Sequence, residues 1–371
     1  MKKSGVRYID ARIILLQVVC LIVLVVLTYK YLDWVEVTKV EISSPELKSS
    51  LTISAEEKVE KIVDGVEKAR ILPGKKPPGK YVIKLFSRKE IRVFHFGEGN
   101  YLYDLQGGRL LGPPPQLKKY LQEIREELRR RSPYGELLDW DEVKYLFPYG
   151  VKAKVTDLDT GKSFLAQRLA GYSHADVKSL TPQDKKVIKE IYGGNWSWKR
   201  RAVLVHVGGR KVAASLSGMP HGQDGKGGFF DLRFPLQGDK RSGDSLSYRF
   251  MYYKAAGKMG ELYRKATPGE TILLLFTAID QGDWENMKAL LTSSGRVEGK
   301  GLNEIIGVTV HKIKEKDELG FELGVTVTFR QGPYNDRRNV LVKLRWNAKA
   351  GYYQAEPEFL PGLLGKFEKS F

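Results

Sequence analysis

The chain has 371 residues, of which 42% are hydrophobic and 29% charged, a composition that excludes wholesale disorder and supports about two or three separately cored domains. Lys+Arg 62 against Asp+Glu 44 leaves a formal charge of +18, which favours anionic partners such as lipid headgroups, wall polymers or nucleic acid without choosing among them. Cys20 is the sole cysteine, so an intrachain disulfide and a cysteine metal site are both excluded.

Lys2, Lys3, Arg7 and Arg12 precede an uncharged run from Ile13 to Tyr29, and extending it to Leu32 gives enough helix for a ~30 Å hydrocarbon core at ~1.5 Å per residue. Tyr8, Tyr29, Tyr31 and Trp34 fall where an interfacial aromatic belt belongs, and the flanking cations lie mainly on the N-terminal side. The expectation is a cytoplasmic N-terminus (1–12), a single-pass transmembrane helix (13–32, Ile13 to Leu32) in the cell membrane, and extracytoplasmic domains after it. The bulky TYKYLDWV stretch that follows does not suit signal-peptide cleavage.

Residues 35–131 predict a small α+β domain. Val35 to Ser43 alternates as a half-buried strand does, and Ser54 with Glu57 suggests a capping box ahead of a helix to about Ile71. Tyr81 to Phe86, Ile91 to Phe96 and Tyr101 to Leu105 predict an antiparallel meander. Beyond Pro113 to Pro115, Leu117, Leu121, Ile124 and Leu128 form one stripe of an amphipathic helix ending in Arg129 to Arg131.

Residues 134–260 predict a β-rich domain. Asp159-Thr160-Gly161 and Gly208-Gly209 each turn a hairpin, and Thr181-Pro182 with Asp184 starts a short helix. The second hairpin leads into Gly218 to Gly222 (GMPHG), an exposed-loop pattern carrying His221. His174, Asp176, His221 and Asp231 are suitable zinc-ligand types, yet no tight spacing such as HExxH places any two of them together, so neither a metal nor another cofactor is expected. Trp196 and Trp198, beside Arg200 and Arg201, combine rings and cations as a sugar- or base-stacking site does; the same pattern fits rings wedged into a core with an arginine salt-bridged inside.

The HADV motif (His174 to Val177), IYGG with WSWKRR (191–194 and 196–201), Ala213-Ala214-Ser215 and GMPHG resemble, over residues 137–260, a poorly characterised family of secreted and membrane-anchored proteins from spore-forming Gram-positive bacteria. In that family the next loop leads to a Gly-His-Phe-Cys-Ile-His-Phe run, which is similar to the active-site motif of L,D-transpeptidases, where a thiolate attacks a peptidoglycan amide. Here the run is Gly228 to Phe234, with Phe229, Asp231 and Arg233 in place of histidine, cysteine and histidine. The resemblance therefore implies a fold without the thiol chemistry.

In residues 266–371, Thr267, Pro268 and Glu270 start a helix that Gly282 ends, Asp283 caps another, and long alternating strands follow. Helix, Gly282-Asp283-Trp284, helix and antiparallel sheet resemble the nuclear-transport-factor-like cone fold. The fold class expected is thus α+β: an N-terminal transmembrane helix, then tandem α+β extracytoplasmic domains. The function expected is non-enzymatic binding or scaffolding in the cell envelope, with an anionic wall polymer or envelope protein as partner. Altered peptidoglycan-processing chemistry and extracytoplasmic nucleic-acid binding are the alternatives. His174, Asp176, Trp196, Trp198, Arg200, Arg201, His221, Asp231 and Arg233 are the candidate ligand-binding residues, and none is assigned as catalytic.

Overall fold

In the computed structural model, residues 17–25, 37–75, 79–88, 90–97, 99–222, 228–236, 246–292, 301–331 and 335–365 are described. The transmembrane anchor is corrected. Within Ile13–Leu32 the described residues are 17–25, and they are helical (α1). Among the described residues no helix is long and apolar enough to cross a membrane. Residues 13–16 and 26–32, with the flanking basic and aromatic residues, lie outside the described residues. Hydropathy and flanking charge measure whether a segment tolerates lipid; a span also needs continuous helix over its whole length. The single-pass topology and the extracytoplasmic placement derived from it are withdrawn.

The chain divides into two units, 1–133 and 134–371. In the first, β1 (Lys39–Ser44), β2 (Ser49–Ile53), α2 (Glu56–Glu67), β3 (Arg70–Leu72), β4 (Tyr81–Phe86), β5 (Ile91–Phe96), β6 (Leu102–Asp104), β7 (Arg109–Gly112) and α3 (Pro115–Arg131) succeed one another. The strands form one antiparallel sheet in the order β2-β1-β4-β5-β6-β7-β3. Val40, Ile42, Ile83 and Phe94 share a core with Val59, Ile62 and Val66 of α2 and with the Leu117, Leu121, Ile124, Leu128 stripe of α3. The α2 cap differs from expectation: Ala55 is the N-cap and makes no side-chain bond. The basic end of α3 is paired locally, Arg129 with Glu126 and both Arg130 and Arg131 with the one carboxylate of Glu127.

The second unit begins with α4 (Trp140–Leu146) and six strands: β8 (Lys152–Asp157), β9 (Ser163–Ala170), β10 (Ala175–Ser179), then, after α5 (Pro182–Ile191), β11 (Arg200–Val207), β12 (Arg210–Ser217) and β13 (Phe229–Arg233). They close into a barrel in the order β10-β13-β12-β11-β8-β9. Val155, Phe164, Val177, Val203, Val205, Ala214, Phe230 and Leu232 belong to its core. On β11 and β12 the alternate residues Ala202, Leu204 and Ala213 are buried too, because they pack against α6 (Leu246–Ala255).

α7 (Met259–Lys265), α8 (Pro268–Gln281) and α9 (Trp284–Ala289) lead into an antiparallel sheet of β14 (Ile305–Glu315), β15 (Gly320–Phe329), β16 (Asp336–Asn347) and β17 (Tyr352–Ala355), and α10 (Leu360–Leu364) closes the described chain. Ala202, Leu204 and Ala213 of the barrel, Phe250 and Tyr252 of α6, Leu274 and Leu275 of α8, and Leu323 and Val325 of β15 form one cluster. The central and C-terminal segments therefore share a core across α6. α8 starts on the expected capping box, the Thr267 hydroxyl accepting from the Glu270 amide and the Glu270 carboxylate from the Thr267 amide, and it ends at Gly282 in the left-handed conformation. Thr267→Ala is expected to lower the unfolding free energy of this unit by about 1 kcal/mol in a urea titration, the usual worth of an N-cap hydroxyl.

Candidate functional site

Strand alternation fixes which side chains leave the barrel. Ala175 and Val177 of β10 and Phe230 and Leu232 of β13 are fully buried in the interior, so Asp176, Asp231 and Arg233 project from the outer wall. The two strands are antiparallel with Asp176 directly opposite Asp231, and β10 bulges against β9 between Asp176 and Val177. Like charges directly opposite one another destabilise a strand pair, so this register needs compensating charge.

Two imidazoles supply contacts from flanking segments. His174 Nε2 lies 2.8 Å from Asp176 Oδ1 and 3.6 Å from Asp231 Oδ1. His221 Nε2 lies 2.6 Å from Asp231 Oδ1 and 3.5 Å from Asp176 Oδ1. His221 is held by a two-way backbone bridge to Phe229, at 2.9 and 3.2 Å, and its ring stacks on the Phe229 ring. The segment before His174 is clamped by Arg168, 3% exposed, whose guanidinium donates to the Gly171 and Phe147 carbonyls while lying over Trp140 and Tyr149. Trp140 Nε1 donates to the Tyr172 carbonyl at 2.8 Å. Gly171 has φ +91°, and a Cβ there would collide with the His174 carbonyl oxygen, so the approach to His174 requires glycine. Burial pushes the Asp231 carboxyl up, but His221, His174, Arg233 and a hydrogen bond with Asp176 outweigh it and hold the group below the usual carboxylate range.

Arg233 continues the site along β13. Its Nη2 is 3.7 Å from Asp231 Oδ2, and its guanidinium lies 4.8 Å from the centre of the Tyr248 ring on α6. Arg200 lies 4.3 Å from the same ring centre and donates to the Tyr248 hydroxyl (2.7 Å), Ser217 Oγ (3.0 Å) and the Trp198 carbonyl (2.9 Å). Among the described residues ten buried side-chain nitrogen or oxygen atoms make no hydrogen bond, and five belong to this one wall: Asp176 Oδ1, His221 Nε2, Arg233 Nε, Arg200 Nε and Ser215 Oγ. Buried polar atoms are ordinarily paired, so the gathering of half of these exceptions on one wall singles it out as the candidate site.

Five of the nine residues singled out from sequence, His174, Asp176, His221, Asp231 and Arg233, are thus brought together, and Arg200 adjoins them through Tyr248. Trp198 is 69% exposed beside Arg200. Trp196 is half-buried against Phe230 at 5.7 Å, with the Lys185 and Lys189 ammoniums near its ring, so it packs on the barrel core rather than forming an open stacking platform. Arg201 makes two 3.0 Å bonds to Asp157, which is fully buried; burial pushes the guanidinium pKa down, and the Asp157 and Asp159 charges more than reverse it. Sequence reasoning missed Arg168, Ser215 and Tyr248. Tyr248 sits in an unpatterned aromatic helix, and no signal in LSYRFMYYKA separates it from core.

No family model matches the chain, and no curated protein matches it. The resemblance over residues 137–260 accordingly rests on its motifs alone.

Arg201→Ala is expected to cost about 3–5 kcal/mol of unfolding free energy in urea, because it strands the buried Asp157 carboxylate. A loss below ~1 kcal/mol would return Arg201 to the ligand-facing residues.

Proposed function

We propose that the chain is a non-enzymatic binding protein for an anionic polymer, and that Arg200 and Arg233 receive one of its charged groups. The observation that carries this is the pair of guanidiniums held on one tyrosine ring, each with a buried Nε–H that donates to nothing. Guanidinium donors match carboxylate and phosphate oxygens, and stacking on Tyr248 removes much of the side-chain freedom that binding would otherwise have to quench. The net charge of +18 favours the approach of such a polymer at long range. Against turnover, Asp231 stands where the resembling family has its thiol and is engaged by two imidazoles.

Co-sedimentation of the full chain with purified cell-wall sacculi tests the reading. Pelleting that weakens about tenfold in Arg233→Gln, the worth of one charge-assisted hydrogen bond, with no release of soluble muropeptides, supports it. Absence of pelleting, pelleting indifferent to Arg233→Gln, or release of muropeptides overturns it. Binding to duplex DNA instead, with affinity falling steeply as salt rises, would reassign the anionic partner to nucleic acid.

A further inference from the structure

We infer that His174, Asp176, His221 and Asp231 form a binding site for a single divalent transition-metal ion of the zinc type. This does not rest on the anionic-polymer reading, because it uses the lone-pair donors of the outer wall and not its guanidiniums.

The first support is convergence. His174, Asp176 and Asp231 each place one potential ligand atom within 4.8 Å of the other two; His221 lies outside that mutual group, but its Nε2 contacts both carboxylates and would join as the fourth ligand by closing toward them. A tetrahedral ion with bonds of ~2.0–2.2 Å spaces its ligand atoms about 3.3 Å apart. The four imidazole–carboxylate separations here are 2.6, 2.8, 3.5 and 3.6 Å, scattered around that spacing.

The second support is the direction of the lone pairs. Asp176 Oδ1 is 2.8 Å from His174 Nε2, and His221 Nε2 is 2.6 Å from Asp231 Oδ1, yet neither Asp176 Oδ1 nor His221 Nε2 makes a hydrogen bond, and both atoms are buried. An imidazole and a carboxylate that simply paired would align an N–H with an oxygen at these distances. Close approach without that alignment is what atoms sharing a common centre show.

Charge and surroundings agree. Two carboxylates fixed opposite one another across β10 and β13 present two negative charges, which one divalent ion neutralises. Ser173 Oγ lies 3.4 Å from His174 Nδ1, where a partner for the far ring nitrogen fixes the ring and leaves Nε2 toward the carboxylates. Arg233 Nη2 lies 3.7 Å from Asp231 Oδ2, whereas both imidazole contacts are to Oδ1. The donor set selects the class of ion: two imidazole nitrogens with two carboxylate oxygens suit zinc, cobalt(II) or nickel(II). Calcium and magnesium require six or more oxygens, and copper(I) prefers sulfur.

The test uses the full chain stripped with chelator and dialysed. Zinc chloride titrated by calorimetry is expected to bind with a stoichiometry of one and to raise the thermal midpoint. Cobalt(II) is expected to give the intense visible absorption of a four-coordinate ion. His221→Gln and Asp231→Asn should each weaken zinc about 100-fold or more. His221 is half-exposed, so His221→Gln keeps the test valid if the strand variant misfolds. The site is overturned if zinc neither binds nor shifts the midpoint, or if it binds equally well to both variants. It is also overturned if Asp231→Asn destabilises the metal-free chain while zinc leaves the parent unmoved; the four groups would then be a self-neutralised ion-pair cluster.

Discussion

The outer wall of the barrel depends on one register, the pairing of β10 with β13 that sets Asp176 opposite Asp231. Strand side chains alternate, so a slip of β13 by one residue would part Asp231 from Asp176 and at the same time expose Phe230 and Leu232, which are fully buried. Each of those apolar side chains contributes roughly 1.5–3 kcal/mol by its burial. That sum exceeds what two partly solvated carboxylates recover by separating. The hydrophobic interior thus holds a polar constellation that electrostatics alone would not assemble, and the imidazoles and guanidiniums gather around charges the core keeps in place.

α6 extends the same logic outward. Its buried residues, Phe250 and Tyr252 among them, cover the faces of β11 and β12 that would otherwise meet water and join the barrel to the C-terminal sheet. The same helix carries Tyr248, whose ring receives Arg200 from β11 and Arg233 from β13. A packing helix therefore also orders the cationic half of the site. The site is built on strands and a helix rather than on loops alone, and positions set by a packed scaffold are reproduced more closely than positions set by a free loop.

Local physics was legible in the amino-acid order. The Leu117, Leu121, Ile124, Leu128 stripe, the Thr267–Glu270 capping box, the Gly282 stop and both central hairpins are short-range patterns, and the structure has each of them. The anchor was misjudged because an apolar run with flanking cations is necessary for a span without being sufficient for one. The site was half legible. Residue type and loop position marked His174, Asp176, His221 and Asp231, but the feature that unites them is long-range: β10 lies beside β13, three strands later in the chain, and no spacing along the sequence encodes that neighbour. The WSWKRR run admitted two readings, and each holds for part of it: Trp196 packs on the barrel core and Arg201 pairs with buried Asp157, whereas Arg200 reaches Tyr248.

Closure of the six central strands has one more consequence. An open sheet offers at each side a row of unpaired amides and carbonyls to which a foreign strand can add, and a closed barrel offers none. The wall that carries the acidic pair is therefore insulated from strand exchange and edge-to-edge aggregation. The C-terminal sheet, whose outermost strand among the described residues is β14, blunts that margin by other means: the strand bulges between Val310 and Lys312, and Lys312, Lys314 and Glu315 stand exposed along it. On the anionic-polymer reading proposed above, a chain of net charge +18 would be crowded against its own copies whenever it bound. Margins that refuse to zip together keep such crowding reversible.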